Sequence, residues 1–326
     1  MSGFWTDKRV LVTGGAGYLA SSLVNLLKDR AASIVRLDRP GAEFMPLDGS
    51  ARMENVVGDI RDPAFWQTRA GRVNILFHLA AQTSAARADA DPEADKAVNL
   101  LPVLALIETC RRLMTPPVIL LAGTATECGL TDHLPVDESV PDSPITAYDR
   151  HKLAAEQALE QAVREGILHA TTLRLSNLYG PGPSSSSADR GILNRMMRRA
   201  LAGEPLTIYG MDDYVRDYLY VEDAARAFLT AAEHIEDLSG SHFLIGSGTG
   251  TTICEAFDRV AERVALRTGR KVDVTRIDPP RPLPAIETRN YIADTARFAQ
   301  QTGWRAEIDL KTGIDRTLAF YEGEGR

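Results

Sequence analysis

The chain has little cysteine, no long apolar run and no excess of positive charge, and each of these absences excludes a class of protein. Its three cysteines, Cys110, Cys128 and Cys254, are too few and too scattered to predict a disulfide framework or a metal site. No run of about 18 apolar residues occurs, so a membrane span is not expected. The net charge of −7 gives no general attraction for nucleic acid or an anionic membrane.

The remaining composition is that of a globular protein. Of 326 residues, 44% are hydrophobic and 25% are charged, which supplies enough apolar material for one large domain or two lobes. The first residues, Met1 to Arg9, lack the apolar segment of a signal peptide. We therefore expect a cytoplasmic protein with reduced cysteines.

Short apolar runs alternate with helical patterns in the first half of the chain. The runs are nearly all apolar, which is typical of strands buried on both faces of a parallel sheet. The predicted strands are Arg9–Val12, Ser33–Leu37, Asn55–Val57, Ile75–Leu79, Val118–Leu121 and Ala170–Leu173. The predicted helices between them are Tyr18–Asp29, Pro92–Arg112 and Tyr148–Glu165. This alternation predicts an α/β fold with a doubly wound parallel sheet.

The pattern changes after Arg174, where the elements no longer alternate regularly. The predicted elements are helices at Ile192–Ala202, Val221–His234 and Ile253–Thr268, and strands at Leu206–Tyr209 and His242–Ile245. We expect a first domain of residues 1–174, joined by 217–235, and a smaller mixed α/β lobe of residues 175–326 interleaved with it.

A glycine-rich turn follows the first strand and opens the first helix. Its spacing, Gly15-x-Gly17-x-x-Ala20, fits the dinucleotide fingerprint, in which glycines let pyrophosphate approach the backbone and a helix N-terminus. Asp38 ends the second strand about 20 residues further on, where a carboxylate accepts hydrogen bonds from the ribose. That carboxylate repels a 2′-phosphate and favours NAD over NADP, although the adjacent Arg39 would accommodate such a phosphate.

Tyr148 and Lys152 lie four residues apart at the start of a predicted helix, and therefore on one face of it. A phenol with a pKa of about 10 is a poor base at neutral pH. A nearby ammonium group favours the phenolate and brings it toward useful acid–base chemistry. Taken alone, this spacing is also common on helix surfaces.

Further segments give the chain its resemblance to a known family. The matching residues are Thr13–Ala20, Gly58–Asp62, His78–Ala81, Asn99, Tyr148-x-x-x-Lys152, Arg174–Pro181 and Arg216–Val221. On these motifs the chain resembles, nearly end to end, the extended short-chain dehydrogenases/reductases of the NAD-dependent epimerase/dehydratase family. The resemblance implies a Rossmann-type domain with a substrate-binding lobe, NAD as the cofactor and a nucleotide-diphosphate sugar as the substrate.

The resemblance also implies a role for each matching residue. Tyr148 would exchange the proton of a sugar hydroxyl, Thr124 would hydrogen-bond that hydroxyl, and Lys152 would hold the nicotinamide ribose. The expected cofactor contacts are Gly14, Gly17, Tyr18, Leu19, Asp38, Arg39, Asp59, Ile60, Leu79, Ala80, Ala81, Asn99, Tyr148 and Lys152. The expected substrate contacts are Thr83, Thr124, Thr126, Tyr148, Asn177, Arg216 and Arg281. Arginine suits the diphosphate because its planar guanidinium pairs with two oxygens.

Two departures from the family pattern bear on the pocket. Glu127-Cys128 stands where Val-Tyr is usual, and Leu101-Pro102 stands where a glycine usually follows Asn99. We interpret both as packing changes. Glu127 in particular is one residue beyond the position of a catalytic acid, and a one-residue slip on an extended segment turns a side chain to the opposite face.

The residues after Thr124 favour one reaction within the family. A dehydratase usually carries an Asp-Glu pair there and a decarboxylase a glutamate at the second position, but this chain has Ala125 and Thr126. Thr-Ala-Thr instead resembles the Ser-Ala-Thr of UDP-hexose 4-epimerases. The prediction is therefore a nucleotide-sugar epimerase acting at C4 through a ketosugar. A 4,6-dehydratase, a decarboxylase and a 4-ketoreductase remain as alternatives.

Two further hypotheses concern partners. The helices Pro92–Arg112 and Tyr148–Glu165 correspond to those that form a four-helix dimer interface in relatives, so the resemblance implies a homodimer. A non-catalytic NAD-binding sensor is the alternative of another class, but it would be expected to lack the Tyr148, Lys152 and Thr124 set.

Overall fold

The computed structural model describes residues 3–183, 191–210, 213–279 and 282–324. Its strands are β1 (Arg9–Thr13), β2 (Ser33–Asp38), β3 (Arg52–Val57), β4 (Ile75–His78), β5 (Val118–Thr124), β6 (Ala170–Leu175), β7 (Asn177–Tyr179), β8 (Leu206–Tyr209), β9 (Val215–Tyr220), β10 (His242–Ile245), β11 (Gly250–Thr252) and β12 (Val274–Ile277). Its helices are α1 (Tyr18–Leu27), α2 (Pro63–Arg69), α3 (Ala85–Ala90), α4 (Pro92–Asn99), α5 (Leu101–Cys110), α6 (Ala147–Arg164), α7 (Ile192–Leu201), α8 (Val221–Glu233), α9 (Ile235–Leu238), α10 (Ile253–Thr268), α11 (Ala296–Thr302) and α12 (Leu310–Glu324).

A seven-stranded sheet forms the centre of the fold, in the order β10-β6-β5-β4-β1-β2-β3. Every pair of neighbouring strands in it is parallel. The chain order reverses between β1 and β4, and at such a switch point the carboxyl ends of the strands open a crevice. This sheet confirms the predicted Rossmann-type fold.

Both faces of this sheet are covered, which explains why its strands are apolar without alternation. In β1, Val10 and Val12 belong to the core shared with α1 and α8. Leu11, between them, belongs to the core shared with α5 and α6 on the opposite face. Successive side chains of one strand therefore stabilise two separate helical layers.

The second lobe contains two small sheets and three packed helices. One sheet has the order β11-β9-β7 and mixes antiparallel with parallel pairing, while β12 and β8 form a parallel pair. Helices α7, α10 and α12 pack over them around Met197, Val260 and Leu318. β10 pairs with β6 in the large sheet, although it lies outside the ranges 1–174 and 217–235 expected for the first domain.

The predicted helix Pro92–Arg112 is wrong as a single element, because it divides into α4 and α5 at Leu100, with φ −116° and ψ −55°. Pro102 explains the break: it has no N–H to donate to Val98, and its ring clashes with that carbonyl in a continuous helix. At the second position of α5 the missing donor costs little.

Among the described helices, the structure contains none with both the length and the apolar character needed to cross a membrane.

Gly313 tests how tightly the second lobe is packed. A Cβ added there would lie 2.0 Å from Tyr179 Oη and 2.6 Å from its Cζ, so we expect Gly313→Ala to destabilise the protein by about 2 kcal/mol. Gly323, in the same helix, would place a Cβ against nothing within 4 Å, and Gly323→Ala should leave stability unchanged or slightly raised. The measurement is the urea unfolding midpoint of each variant; equal midpoints would contradict this close packing.

Candidate active site

The expected site residues come from strands that end at the same edge of the large sheet. Thr13 of β1 is level with Leu37 of β2 and with His78 of β4. On the other side, β5 ends at Thr124, level with Leu175 of β6. Parallel pairing therefore brings segments more than a hundred residues apart in sequence to one crevice.

The glycine-rich turn follows β1 and lies close to the backbone of β2. Gly15 donates its N–H to Leu37 O at 2.8 Å, and a Cβ at Gly15 would lie 2.7 Å from Arg36 Cβ. Gly14 has a φ of +66°, which favours glycine. Gly17 is the N-cap residue of α1, whose first turn has no side-chain cap. Its N–H groups therefore remain available to an anion.

Asp38 is held beside this turn. Its Oδ2 accepts the Ala16 N–H at 3.0 Å, and its Oδ1 accepts the Arg39 N–H at 2.8 Å. Since a carboxylate oxygen accepts more than one hydrogen bond, each oxygen can still accept from a ribose hydroxyl. The contacts fix the direction in which the carboxylate faces.

A threonine hydroxyl supports the floor of the crevice between β1 and β4. Thr13 Oγ1 accepts the N–H groups of Leu79 at 3.1 Å and Ala80 at 3.2 Å. It lies 3.0 Å from His78 Nδ1. Burial lowers the pKa of His78 to about 3, and the nearby Lys152 adds to this shift. The imidazole is therefore neutral, and Thr13 donates to its Nδ1.

The expected adenine contacts, Asp59 and Ile60, follow β3 at one end of the crevice. Arg61 forms a salt bridge with Asp59 at 2.6 Å, and this interaction lowers the pKa of Asp59. Ile60 is fixed through its carbonyl, which accepts the indole N–H of Trp66 at 2.9 Å.

Asn99 lies behind the crevice in a buried polar network that sequence reasoning missed. Its amide oxygen accepts the Gln82 N–H at 3.2 Å, and its amide nitrogen donates to Gln82 O at 2.9 Å and to Asp95 Oδ1 at 2.8 Å. Asp95 Oδ2 lies 2.7 Å from His151 Nδ1. The network fixes the loop after β4 to α4 and α6. Asp95 precedes Asn99 by one helical turn, and this spacing is the sequence feature that could have indicated the network.

Tyr148 and Lys152 lie in the first turns of α6, both buried and with only 6% and 3% of their surfaces exposed. Burial lowers the pKa of Lys152, while the carboxylates of Glu127, Glu156 and Asp95 oppose that effect. An ammonium buried at this depth is suited to a ligand that brings hydroxyl oxygens.

Thr124 ends β5, and the 3₁₀ turn Ala125–Cys128 follows it. The Thr124 hydroxyl lies 2.9 Å from the Thr126 hydroxyl, and Glu127 Oε1 accepts the Thr124 N–H at 2.9 Å. Thus Glu127 folds back onto the residue that the sequence predicts to be catalytic, and it closes a capping box.

Glu127 is fully buried and belongs to an ion cluster beneath the site. Its Oε2 lies 2.9 Å from Arg174 Nε, whose N–H is directed to Glu156, so this contact is an ion pair without a hydrogen bond. Burial raises the pKa of Glu127 well above its usual range, Glu156 raises it further, and Arg174 opposes both. Both oxygens of Glu127 are therefore directed at protein groups, one at the Thr124 N–H and the other at Arg174.

The expected diphosphate contacts are placed differently from one another. Asn177 begins β7, level with Tyr218 of β9, and is partly exposed. Arg216 is buried, and its guanidinium donates to backbone carbonyls, among them that of Arg289 and that of Glu287 at 2.7 Å. In this arrangement Arg216 fixes the segment after residue 284, and its pairing with a diphosphate stays a prediction. Arg281 lies outside the described residues.

His78 gives the site a measurable pH dependence. Because its folded pKa of about 3 is below the unfolded value, its contribution to stability is present above pH 6.5 and is lost as the pH falls toward 3. We expect His78→Asn, which keeps an acceptor for Thr13, to reduce the loss of unfolding free energy between pH 7 and 5 by about 2 kcal/mol.

The measurement is urea unfolding at several pH values, with His133→Asn as the control because the His133 side chain is 61% exposed. An equal pH dependence in wild type and His78→Asn would show that His78 is not held neutral by burial.

Known proteins resemble this chain over almost its whole length. A UDP-glucose 4-epimerase of Azospirillum brasilense is 30% identical over 96% of this chain and 92% of its own. A dTDP-glucose 4,6-dehydratase of Escherichia coli is 25% identical over 96% of this chain and 92% of its own.

Solved structures show the same relationship. The UDP-glucose 4-epimerase of Thermotoga maritima with UDP-glucose has a TM-score of 0.86 and 28% identity, covering 98% of this chain and 100% of that one. The Thermus thermophilus UDP-glucose 4-epimerase with NAD has a TM-score of 0.82 and 28% identity, covering 97% and 99%. The sequence model of the family described as "NAD dependent epimerase/dehydratase family" matches residues 10–246. The chain therefore belongs to the NAD-dependent epimerase/dehydratase family, as its motifs predict.

Proposed function

We propose that the protein is an NAD-dependent epimerase that inverts C4 of a nucleotide-diphosphate hexose. The observation that carries this proposal is the position of Glu127, the ionisable residue nearest to Thr124 in the sequence. It is fully buried, bonded to the Thr124 N–H and paired with Arg174. Neither Ala125 nor Thr126 supplies an acid or base, so the chain offers no elimination machinery at this segment.

The residues at the carboxyl edge fit a dinucleotide. The uncapped first turn of α1 suits the pyrophosphate, Asp38 suits the adenosine ribose, and the Lys152 ammonium suits the nicotinamide ribose. When bound, NAD supplies reversible hydride acceptance. A carboxylate at Asp38 disfavours the 2′-phosphate of NADP.

The chain's own residues account for the proton transfer. In this proposal Tyr148 takes the proton of the sugar hydroxyl, and a charged Lys152 one turn away favours its phenolate form. Thr124 hydrogen-bonds the same hydroxyl. Inversion then needs the ketosugar to turn within the pocket, after which Tyr148 returns the proton. No second acid or base is required for this series of steps.

Tyr148→Phe should abolish this exchange. We expect epimerisation to fall by about a thousandfold, because the general acid–base group is lost while the ring and its packing remain. The assay is conversion of UDP-glucose followed by NMR. Tyr209→Phe is the matched control, since Tyr209 is 51% exposed and belongs to β8, which pairs with β12 outside the large sheet. Turnover that survives in Tyr148→Phe would contradict the role of this phenol.

The type of reaction is tested with a panel of nucleotide sugars in deuterated water. The proposal expects a product of unchanged mass, inverted at one carbon, without carbon-bound deuterium and without net consumption of NAD. Loss of water or carbon dioxide, or stoichiometric use of NADH, would instead indicate a dehydratase, a decarboxylase or a reductase. The dehydratase is the main competitor, since it occurs among the relatives.

A homodimer is part of the same proposal. Leu101 and Leu104 on α5 are 45% and 41% exposed, and their spacing places them on one face of the helix. Such apolar exposure on a helix that also packs against α6 supports an interface there. The cytoplasmic location expected from the sequence stays a prediction.

A further inference from the structure

Asp149 directly follows Tyr148 and is buried, with 1% of its surface exposed. Its Oδ2 accepts the Thr146 N–H at 3.0 Å, and its backbone N–H donates to Thr146 Oγ1 at 3.2 Å, which forms the capping box of α6. Its Oδ1 accepts a hydrogen bond from the Thr126 hydroxyl. The capping role explains the first two contacts but not the third.

The third contact determines where two protons lie. A carboxylate only accepts hydrogen bonds, so Thr126 must donate its single hydroxyl proton to Asp149. In the 2.9 Å contact between Thr124 and Thr126, the donor must therefore be Thr124. The Thr126 N–H also donates to Thr124 Oγ1, at 3.3 Å. What Thr124 retains toward the crevice is a lone pair rather than a proton.

We propose that Asp149, acting through Thr126, makes Thr124 a hydrogen-bond acceptor and so selects a sugar hydroxyl over a fluorine at the reacting carbon. The proposal rests on the epimerase function argued above. A substrate hydroxyl can donate to Thr124, whereas a group that only accepts would face its lone pair. Asp149 is thus a positioning residue for specificity, and it does not touch the substrate.

The substitution Asp149→Asn reverses the direction of the hydrogen bonds that link Asp149, Thr126 and Thr124 without removing them. The Thr146 N–H still requires an acceptor, so the amide oxygen remains there and the amide nitrogen faces Thr126. Thr126 then accepts from the amide and donates to Thr124, whose own proton becomes free for the substrate. Thr126→Val reaches a similar state without altering the cap, because it removes the acceptor of the Thr124 proton.

The experiment compares the affinity of UDP-glucose with that of UDP-4-deoxy-4-fluoroglucose by calorimetry. All proteins carry Tyr148→Phe, so that UDP-glucose is bound without turnover and the tyrosine hydroxyl contributes nothing. With Asp149 present, we expect UDP-glucose to bind about tenfold more tightly than the fluoro analogue. Asp149→Asn and Thr126→Val should each reduce this ratio to about one or invert it.

Three comparisons separate specificity from structural damage. Thr146→Ala weakens the same capping box but should keep the tenfold ratio, and the affinity for UDP alone should be the same in every variant. The double variant Asp149→Asn with Thr126→Val should have the ratio of Thr126→Val alone, because Asp149 acts through Thr126. A ratio near one with Asp149 present, or an unchanged ratio in both single variants, would overturn the proposal.

A neutron structure of the deuterium-exchanged protein tests the hydrogen-bond direction independently of any sugar. We expect the Thr126 deuterium on the Asp149 side and the Thr124 deuterium on the Thr126 side. A Thr126 deuterium directed at Thr124 would overturn the inference even if epimerisation is observed. If UDP and UDP-glucose both fail to bind, the proposed function fails. The neutron structure would still determine the direction of the hydrogen bonds from Thr124 to Thr126 and from Thr126 to Asp149.

Discussion

The buried guanidinium of Arg174 is the group on which the catalytic end of the sheet depends. It pairs with Glu156 on α6 at 2.5 Å, with Asp142 in the loop before α6 at 2.6 Å, and with Glu127 in the turn after β5 at 2.9 Å. Without Arg174, three carboxylates, two of them fully buried, would lose their counter-charge, which is strongly destabilising. The three segments must therefore close around β6 together. Thr124 and Tyr148, the predicted catalytic residues, lie on two of these segments, so the same ion cluster positions both of them.

The sequence predicted those features that depend on local requirements of the backbone. The strand periodicity and the glycine turn predicted the doubly wound sheet, and both the fold and the family were confirmed. Gly15 shows why this succeeds: its Cβ would overlap Arg36, so only glycine lets the turn lie against β2. The break between α4 and α5 had a local cause as well, Pro102, but helical periodicity continues through it and concealed the break.

The partners of buried polar side chains could not be predicted, because tertiary packing alone decides them. Glu127 carries no signal that distinguishes a catalytic acid from a residue paired with Arg174, which lies 47 positions further on. The residue type and helical position of Asp149, within the Tyr148–Lys152 motif, predict a surface residue. It is instead buried and accepts a hydrogen bond from Thr126. Residue type and spacing thus predicted candidate reacting groups, but not the buried partners of those groups.

The site is rich in carboxylates, and their bonding explains why this does not imply elimination chemistry. Each has its oxygens committed to the protein: Glu127 to a backbone N–H and Arg174, Asp95 to Asn99 and His151, Asp149 to its cap and Thr126. Glu127 and Asp95 act electrostatically on a buried lysine, where they oppose the effect of burial on its pKa. In the proposed mechanism, a charged lysine in turn favours the tyrosine phenolate. In that mechanism the acidic residues act on the proton-transfer group and not on the sugar, which is what a reversible oxidation requires and an elimination does not.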